Sequence, residues 1–157
     1  MFSEEEERAY YAALPRKACS AAVLLRDADG RVLLVKPTYK PHWQIPGGVV
    51  DADEALRAAA TRELREELGL SRDIGKLLVV QYSQRGAMKG DVLHMIFDGG
   101  VVANDDLGTI VLQESELGEW RLVDTHEIAA FLPEKGRLRC EAALRAIETN
   151  EMAYLEE

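Results

Sequence analysis

One helix constrains the fold of this chain more than any other feature of its sequence. The segment from Asp51 to Gly69 opens on a capping-box pattern, Asp51 with Glu54, and closes on a glycine suited to a left-handed stop. Apolar residues recur along it every four positions: Leu56, Ala60, Leu64 and Leu68. Such a stripe must be buried against another element. The segment therefore predicts a long amphipathic helix packed on a sheet.

The residues around this helix predict a hairpin, a loop and further strands and helices. Two apolar stretches, 21–25 and 32–35, flank an Asp-Gly turn signal and indicate a β-hairpin. Three prolines followed by two glycines indicate a stiff, exposed loop over residues 37–48. The remaining predicted elements are strands at 76–81, 92–97, 109–112 and 120–123 and helices at 3–14, 124–132 and 137–148.

The length of the chain and the order of these elements predict one α+β domain over residues 1–157. Strands and helices mix without regular alternation, which favours an α/β/α sandwich on a mixed β-sheet. Residues 1–15 are expected to form an N-terminal helical appendage. Its Tyr10 and Tyr11 pack either on a second subunit, in a homodimer, or on the edge of the sheet.

Charge and hydropathy exclude two classes of protein. Lys and Arg number 19 against 28 Asp and Glu, and the net charge of −9 repels nucleic-acid backbones and anionic lipid. The longest apolar runs are far shorter than the roughly 20 residues that cross a bilayer. The first residues have neither the basic nor the apolar region of a signal peptide. We therefore expect a cytoplasmic protein that binds neither long nucleic acid nor membrane.

Three glutamates share one face of the predicted helix. Glu63, Glu66 and Glu67 stand at spacing i, i+3 and i+4, beside the apolar stripe. Like charges at this spacing destabilise a helix by roughly 0.2–0.5 kcal/mol per pair. Oxygen ligands of this kind suit Mg²⁺ or Mn²⁺. The alternative is a solvated acidic face balanced by Arg62 and Arg65, and spacing alone does not decide between the two.

A longer pattern around these glutamates resembles the signature of the Nudix hydrolase family, the MutT-like hydrolases. It runs from Gly48 through Glu54 to the string R-E-L-R-E-E-L-G-L at 62–70, and it agrees at every specified position. The preceding W-Q-I-P-G-G at 43–48 resembles the lead-in to this Nudix box. The resemblance implies an α/β/α sandwich and metal-dependent hydrolysis of a diphosphate linkage in a nucleoside diphosphate derivative, by attack of water on phosphorus.

The resemblance also implies a set of metal ligands. Glu66 and Glu67 match the positions of ligands to Mg²⁺ or Mn²⁺, and the backbone carbonyl of Gly47 joins them. Glu63 matches either a further ligand or the base that deprotonates the attacking water. Bound cations would make a small polyanion bindable despite the negative charge of the chain.

Other residues are expected to support the catalytic step. Arg62 and Glu54 match positions that orient the glutamate cluster. Downstream, Glu114 stands where some family members place another catalytic carboxylate, with Glu116 and Glu119 as alternatives.

Four residues are candidates for binding the substrate: Lys36, Tyr39 and Trp43 around the proline-rich segment, and Arg85 on the glycine-containing segment 83–90. Three of them also have an ordinary interpretation. Lys36 suits a solvated strand end, Trp43 suits an anchor that packs the loop on the sheet, and Arg85 suits a hairpin turn. His94 alternates with apolar residues and is expected at the edge of the core.

Two alternative functions follow from the same sequence. A non-catalytic Nudix-like nucleotide-sensing module has no need of all three glutamates. An isomerase acting on a prenyl diphosphate would need a reactive cysteine at the site, whereas Cys19 starts the first hairpin and Cys140 lies in the last helix. A nucleoside triphosphate or another small nucleotide derivative is the expected substrate, and its identity stays open.

Overall fold

The computed structural model describes residues 1–157 and contains one mixed sheet of seven strands. Its strands follow the order β6-β2-β1-β5-β4-β7, and β3 pairs with β1. The pairs β1 with β5 and β4 with β7 are parallel, and the others are antiparallel. The predicted mixed sheet is therefore confirmed. The strands are β1 Ala18–Arg26, β2 Val32–Pro37, β3 Gly47–Val49, β4 Leu77–Gln84, β5 Asp91–Val101, β6 Leu117–Val123 and β7 Ala153–Glu156.

Helices cover both faces of this sheet, as predicted for an α/β/α sandwich. On one face α2 buries Ala59, Ala60, Leu64 and Leu68, and on the other α5 buries Cys140, Ala142, Ala143 and Ala146. None of the helices is both long enough and apolar enough to cross a membrane. The helices are α1 Glu4–Ala13, α2 Leu56–Leu68, α3 Asn104–Leu107, α4 Ile128–Phe131 and α5 Glu134–Thr149, and a 3₁₀ turn at Thr125–Glu127 precedes α4.

Helix α2 begins later than the sequence predicted. Its N-cap is Ala55, so the predicted capping box at Asp51 does not start the helix. The Glu54 carboxylate instead accepts a hydrogen bond from the Asp51 backbone N–H at 2.9 Å, within a turn that precedes the helix. Gly69 ends the helix at φ 68°, the left-handed conformation that glycine adopts without strain.

The second half of the proline-rich segment belongs to the sheet, so the prediction of an exposed loop over all of 37–48 was wrong. Gln44 bridges to Val35, and Gly47 pairs with Ala22 of β1. Proline lacks an N–H group, but its carbonyl still accepts. The Pro46 carbonyl takes a hydrogen bond from the Val23 N–H at 2.8 Å. This insertion brings β3 against α2.

Residues 109–112 were predicted as a strand, and the structure has a loop there. The Val111 N–H donates to the Leu68 carbonyl at 3.0 Å, and the Gln113 N–H donates to the Glu67 carbonyl at 3.2 Å. These bonds satisfy carbonyl groups that the C-terminal end of α2 leaves without helical partners. Strand β7 was not predicted, because four residues without apolar alternation are too short a signal.

Helix α1 forms as predicted but buries nothing. The Ser3 hydroxyl accepts from the Glu6 N–H at 3.3 Å, and the Glu6 carboxylate accepts from the Ser3 N–H at 2.8 Å. No residue of the helix is buried, and Tyr10 and Tyr11 are exposed. The helix therefore does not cover the edge of the sheet. Packing on a second subunit stays a prediction.

Candidate active site

A cleft of about 550 Å³ connects α2 with the inserted strand and with α5. On the acidic side of the cleft, the wall includes Glu63, Glu67 and Glu116. On the α5 side, the wall includes His94 and Arg139. Gly47 and Gly48 also line the cleft. The cleft therefore has one wall with negatively charged side chains and one wall with a positively charged arginine. Such a cleft suits a ligand whose two ends differ chemically.

Glu67 is the most deeply placed of these acids, with only 3 % of its surface exposed. The Gly47 N–H donates to Glu67 Oε2 at 2.8 Å. Burial raises the pKa of Glu67 to about 8, against the effect of this hydrogen bond, and the neighbouring carboxylates add to the rise. The sequence predicted the Gly47 carbonyl as a ligand, and the structure shows the N–H of the same residue holding a ligand candidate in place.

Glu63 faces the cleft beside Gly48. Burial raises the pKa of Glu63, although the adjacent Arg62 guanidinium opposes this rise. A Cβ atom on Gly48 would overlap the Glu63 carboxylate. At Gly47 a Cβ would overlap the backbone of Ala21, and φ there is +150°. Gly47 therefore lets β3 lie close against β1, and Gly48 lets it lie close against the Glu63 carboxylate of α2.

Arg62 connects the acidic residues to one another. Its guanidinium donates two hydrogen bonds to Glu54, at 2.7 and 2.9 Å, one to Glu63 at 2.9 Å and one to Glu66 at 3.1 Å. A further bond to the Val49 carbonyl at 3.1 Å ties α2 to β3. The hydrogen bonds from Arg62 lower the pKa of Glu54 to about 2. The placement agrees with the orienting role that the resemblance implies for Arg62 and Glu54.

The carboxylates of α2 have the donor chemistry of a divalent-cation site: Glu63 and Glu67 line the cleft, and Arg62 holds Glu66 beside Glu63. Protein N–H groups bind Glu63 Oε1, Glu66 Oε2 and Glu67 Oε2, and the second oxygen of each carboxylate accepts no hydrogen bond from the protein. A set of carboxylate oxygens is the donor chemistry that Mg²⁺ and Mn²⁺ prefer. A cation would also offset the cost of crowding negative charge at a half-buried place.

Glu116, and not Glu114, accompanies these residues in the cleft, which corrects the first choice made from the sequence. The Glu116 N–H donates to the Gln113 carbonyl at 2.9 Å, and the Thr38 N–H donates to the Glu116 carbonyl at 2.8 Å. This turn leaves Glu114 exposed and outside the cleft wall. The other alternative, Glu119, pairs with Arg121 at 2.6 Å. One of the two open alternatives therefore has the required position.

A pair of variants tests this correction. Glu116→Gln removes a carboxylate from the cleft while keeping its size, and we expect kcat to fall by about 10- to 100-fold, the scale of a positioned acid or base. Glu114→Gln should leave kcat within about twofold of wild type, since surface substitutions rarely perturb a distant site. Steady-state kinetics at saturating Mg²⁺ measures both, and equal losses in the two variants would contradict the placement.

Three of the four residues predicted to bind substrate line the cleft: Tyr39, Trp43 and Arg85. Lys36 does not, because it lies in β2 and that strand pairs with β6 away from the cleft wall. Lys40 lines the cleft instead. The pairing of β2 with β6 therefore decides which lysine of this segment lines the cleft.

The α5 side contains two polar residues that the sequence did not single out, Arg139 and Gln81, near His94, which was expected at the edge of the core. Arg139 donates to Gln81 Oε1 at 2.7 Å, and Gln81 is buried within β4. His94 Nδ1 lies 2.7 Å from the Ser20 hydroxyl. A glutamine ending an otherwise apolar stretch of strand was the only signal available. Nothing in the sequence pairs it with an arginine of the last helix.

His94 should make stability depend on pH. Burial, with the charge of Arg139 adding to it, lowers the pKa of His94 from 6.5 to about 4. Between these two values the unfolded chain binds the proton and the folded chain does not, so stability falls as the pH is lowered. The other charged groups facing the ring are Glu157, which raises the pKa, and Arg85 and Lys135, which lower it.

We therefore expect wild type to lose about 1 kcal/mol more stability between pH 7 and pH 4 than His94→Gln does, after allowance for solvent screening of the half-buried ring. Urea unfolding at a series of pH values measures the difference. The glutamine variant keeps an acceptor for Ser20 and serves as the reference. Parallel pH profiles for the two proteins would contradict the assignment.

Comparisons with known proteins agree with this geometry. A sequence model described as the NUDIX domain matches residues 16–144. The chain is 35 % identical over 83 residues to the CTP pyrophosphohydrolase of Escherichia coli, and 32 % identical over 88 residues to the ADP-ribose pyrophosphatase of Methanocaldococcus jannaschii. These matches cover 50 % and 51 % of this chain, and 59 % and 52 % of the two relatives.

A solved structure shares the architecture as well. The MutT protein of Methanosarcina mazei Go1 superposes with a TM-score of 0.68 at 26 % identity, covering 88 % of this chain and 99 % of that one. This superposition also confirms the predicted α/β/α sandwich.

Proposed function

Because the chain belongs to the NUDIX family, we propose that it hydrolyses a diphosphate linkage in a small nucleoside diphosphate derivative, with Mg²⁺ or Mn²⁺ as cofactor. The observation that carries the proposal is the way the three glutamates of α2 are held: Arg62 binds Glu63 and Glu66, the Gly47 N–H binds Glu67, and one oxygen of each carboxylate accepts no protein hydrogen bond. A chain of net charge −9 would otherwise repel such a substrate.

The residues of the acidic side have different proposed roles. Glu66 and Glu67 would hold the cation, together with Glu63 where it does not serve as base. A bound divalent cation supplies neutralisation of phosphate charge and a lowered pKa for a water molecule. Glu63 is the first candidate for the base, because Arg62 occupies Oε1 and leaves Oε2 to accept a proton. Glu116 is the second candidate.

The named relatives support the reaction class. The two curated relatives are a CTP pyrophosphohydrolase and an ADP-ribose pyrophosphatase. Both names describe cleavage of a phosphoanhydride bond in a nucleotide. The reaction that we propose for this chain is the part that these names share: water attacks one phosphorus of the diphosphate and releases a nucleotide product.

A substrate panel tests the proposal. Nucleoside triphosphates, nucleotide sugars, ADP-ribose and dinucleoside polyphosphates are incubated with the protein and Mg²⁺ or Mn²⁺, and released nucleoside monophosphate is measured. Parallel reactions contain EDTA, and reactions in ¹⁸O-labelled water identify the attacked phosphorus. We expect cation-dependent turnover of at least one compound. Tight binding of one compound without turnover of any would instead favour a nucleotide-sensing module.

A further inference from the structure

Arg139 is a cation without a counter-ion on the α5 side of the cleft. It donates one hydrogen bond, to Gln81 Oε1 at 2.7 Å, and it makes no ion pair. The nearby Glu157 carboxylate pairs with Lys135 instead. A guanidinium carries five N–H donors in one plane, and of the donor atoms of Arg139 only Nη1 has a protein acceptor. Donors of Arg139 are therefore left for a partner that enters the cleft.

The surroundings of Arg139 suit a flat, weakly polar group. Trp43, Ile45 and Leu132 contribute apolar wall to the cleft, and Trp43 is held edge-on by Phe131 with 5.6 Å between ring centroids. Gly136, one helical turn before Arg139, also lines the cleft and leaves room beside the helix. Apolar walls with a few placed polar groups are typical of sites for planar organic ligands.

The acids near Arg139 form no direct ion pair with it. The acidic residues that line the cleft, Glu63, Glu67 and Glu116, belong to the opposite side, and the Glu157 carboxylate, whose charge acts on Arg139, pairs with Lys135. His94 adds no second positive charge at neutral pH, since burial keeps its ring neutral. Arg85 also lines the cleft but donates to the Lys89 carbonyl in its own turn, whereas Gln81 holds Arg139 between apolar walls. The planar fork of Arg139 therefore matches an edge with two neighbouring acceptors.

Given the proposed function, on which this step rests, we propose that the α5 side of the cleft binds the base of the substrate. Arg139, positioned by Gln81, recognises bases that present a carbonyl oxygen beside an unprotonated ring nitrogen. Cytosine and guanine have such an edge, whereas adenine places an amino donor beside its ring nitrogen. Arg139 is thus a specificity-determining residue, and adenine nucleotides bind less well than cytosine or guanine nucleotides.

Equilibrium binding of CMP, GMP and AMP, followed by calorimetry, tests this assignment. We expect wild type to bind CMP or GMP at least about tenfold more tightly than AMP, the scale of one bidentate arginine contact. Arg139→Met should abolish that preference. Arg137→Met is the matched control, because Arg137 lies on the same helix, pairs with Glu141 at 2.9 Å and does not line the cleft.

A conservative variant separates base recognition from phosphate binding. Arg139→Lys keeps the charge but loses the planar fork, so we expect the base preference to disappear in this variant as it does with methionine. Retention of affinity for all three monophosphates by Arg139→Lys, with loss in Arg139→Met, would show phosphate binding and overturn the proposal. An unchanged preference in Arg139→Met, or no preference in wild type, would also overturn it.

Turnover distinguishes failure of this assignment from failure of the proposed function. Where wild type hydrolyses nucleotides, loss of Arg139 should raise KM for cytosine or guanine substrates by about tenfold, with a smaller change in kcat. Where wild type hydrolyses nothing, the proposed function fails, and the base preference in the binding experiment still decides the role of Arg139. Thermal unfolding of each variant checks that the fold is retained.

Discussion

Replacing Glu67 with glutamine should abolish cation-dependent turnover while leaving the protein folded. Glu67 is buried and lines the cleft, and its Oε1 accepts no hydrogen bond from the protein. Loss of a ligand charge at such a site removes several kcal/mol of transition-state stabilisation, so we expect kcat to fall by about 1,000-fold. Glutamine cannot replace the negative charge, although it fills the same space.

The fold should tolerate this substitution. The glutamine carbonyl can still accept the hydrogen bond from the Gly47 N–H, and one charge is removed from a crowded group of carboxylates. We therefore expect a thermal unfolding midpoint at or above that of wild type in the absence of added cation. Turnover is measured over a series of Mg²⁺ concentrations, with Glu114→Gln as the exposed control. Wild-type turnover by Glu67→Gln at equal Mg²⁺ would remove Glu67 from the proposed ligand set.

Replacing Arg62 with methionine should lower both stability and activity. The guanidinium is the shared partner of Glu54, Glu63 and Glu66, so its removal leaves three carboxylates without their cation. Breaking a buried pair typically costs 3–5 kcal/mol. The Arg62 side chain is 26 % exposed, and with allowance for solvent screening we expect a loss of about 2 kcal/mol. Turnover should fall by at least about 100-fold, because Glu63 and Glu66 lose the group that orients them.

Arg65→Met provides the matched control for this variant. Arg65 lies one turn along the same helix, is exposed and makes no side-chain hydrogen bond or ion pair, so its removal should change stability by less than about 0.5 kcal/mol. Urea unfolding compares the variants. In a double variant with Glu54→Gln, part of the lost stability should return, because one of the unpaired carboxylates is gone. Equal unfolding curves for Arg62→Met and Arg65→Met would show that the network does not stabilise the fold.

The acidic helix illustrates how far local sequence patterns reach. Its apolar period, its glycine stop and its three glutamates are properties of neighbouring residues, and they appear in the structure except at Leu56, which is exposed in the first turn. The start of the helix was misplaced because Asp51 and Glu54 resemble a capping box. Glu54 instead receives two hydrogen bonds from Arg62, eight residues along the chain. Glu54 therefore keeps its bond to the Asp51 N–H in a turn before the helix and adds an ion pair with Arg62.

The loop over residues 109–113, which follows α3, shows what local sequence patterns miss. Ile110 and Leu112 are apolar and suggested a strand, but this segment donates hydrogen bonds to the last turn of α2. The same segment leads into the turn that exposes Glu114 and brings Glu116 to the cleft. The choice between two glutamates two residues apart depends on these bonds, and no local pattern encodes it.

The sequence by itself determined the fold class, the helix that carries the acids and the set of glutamates and glycines from which the acidic side is built. These follow from short-range periodicity and from a motif with many specified positions. Only the tertiary structure decided that β3 enters the sheet, that Glu116 joins the cleft and that Arg139 meets Gln81 across 58 positions of chain. The physical reason is that such contacts depend on strand order and on backbone hydrogen bonds between distant segments, which become defined only when the whole sheet forms.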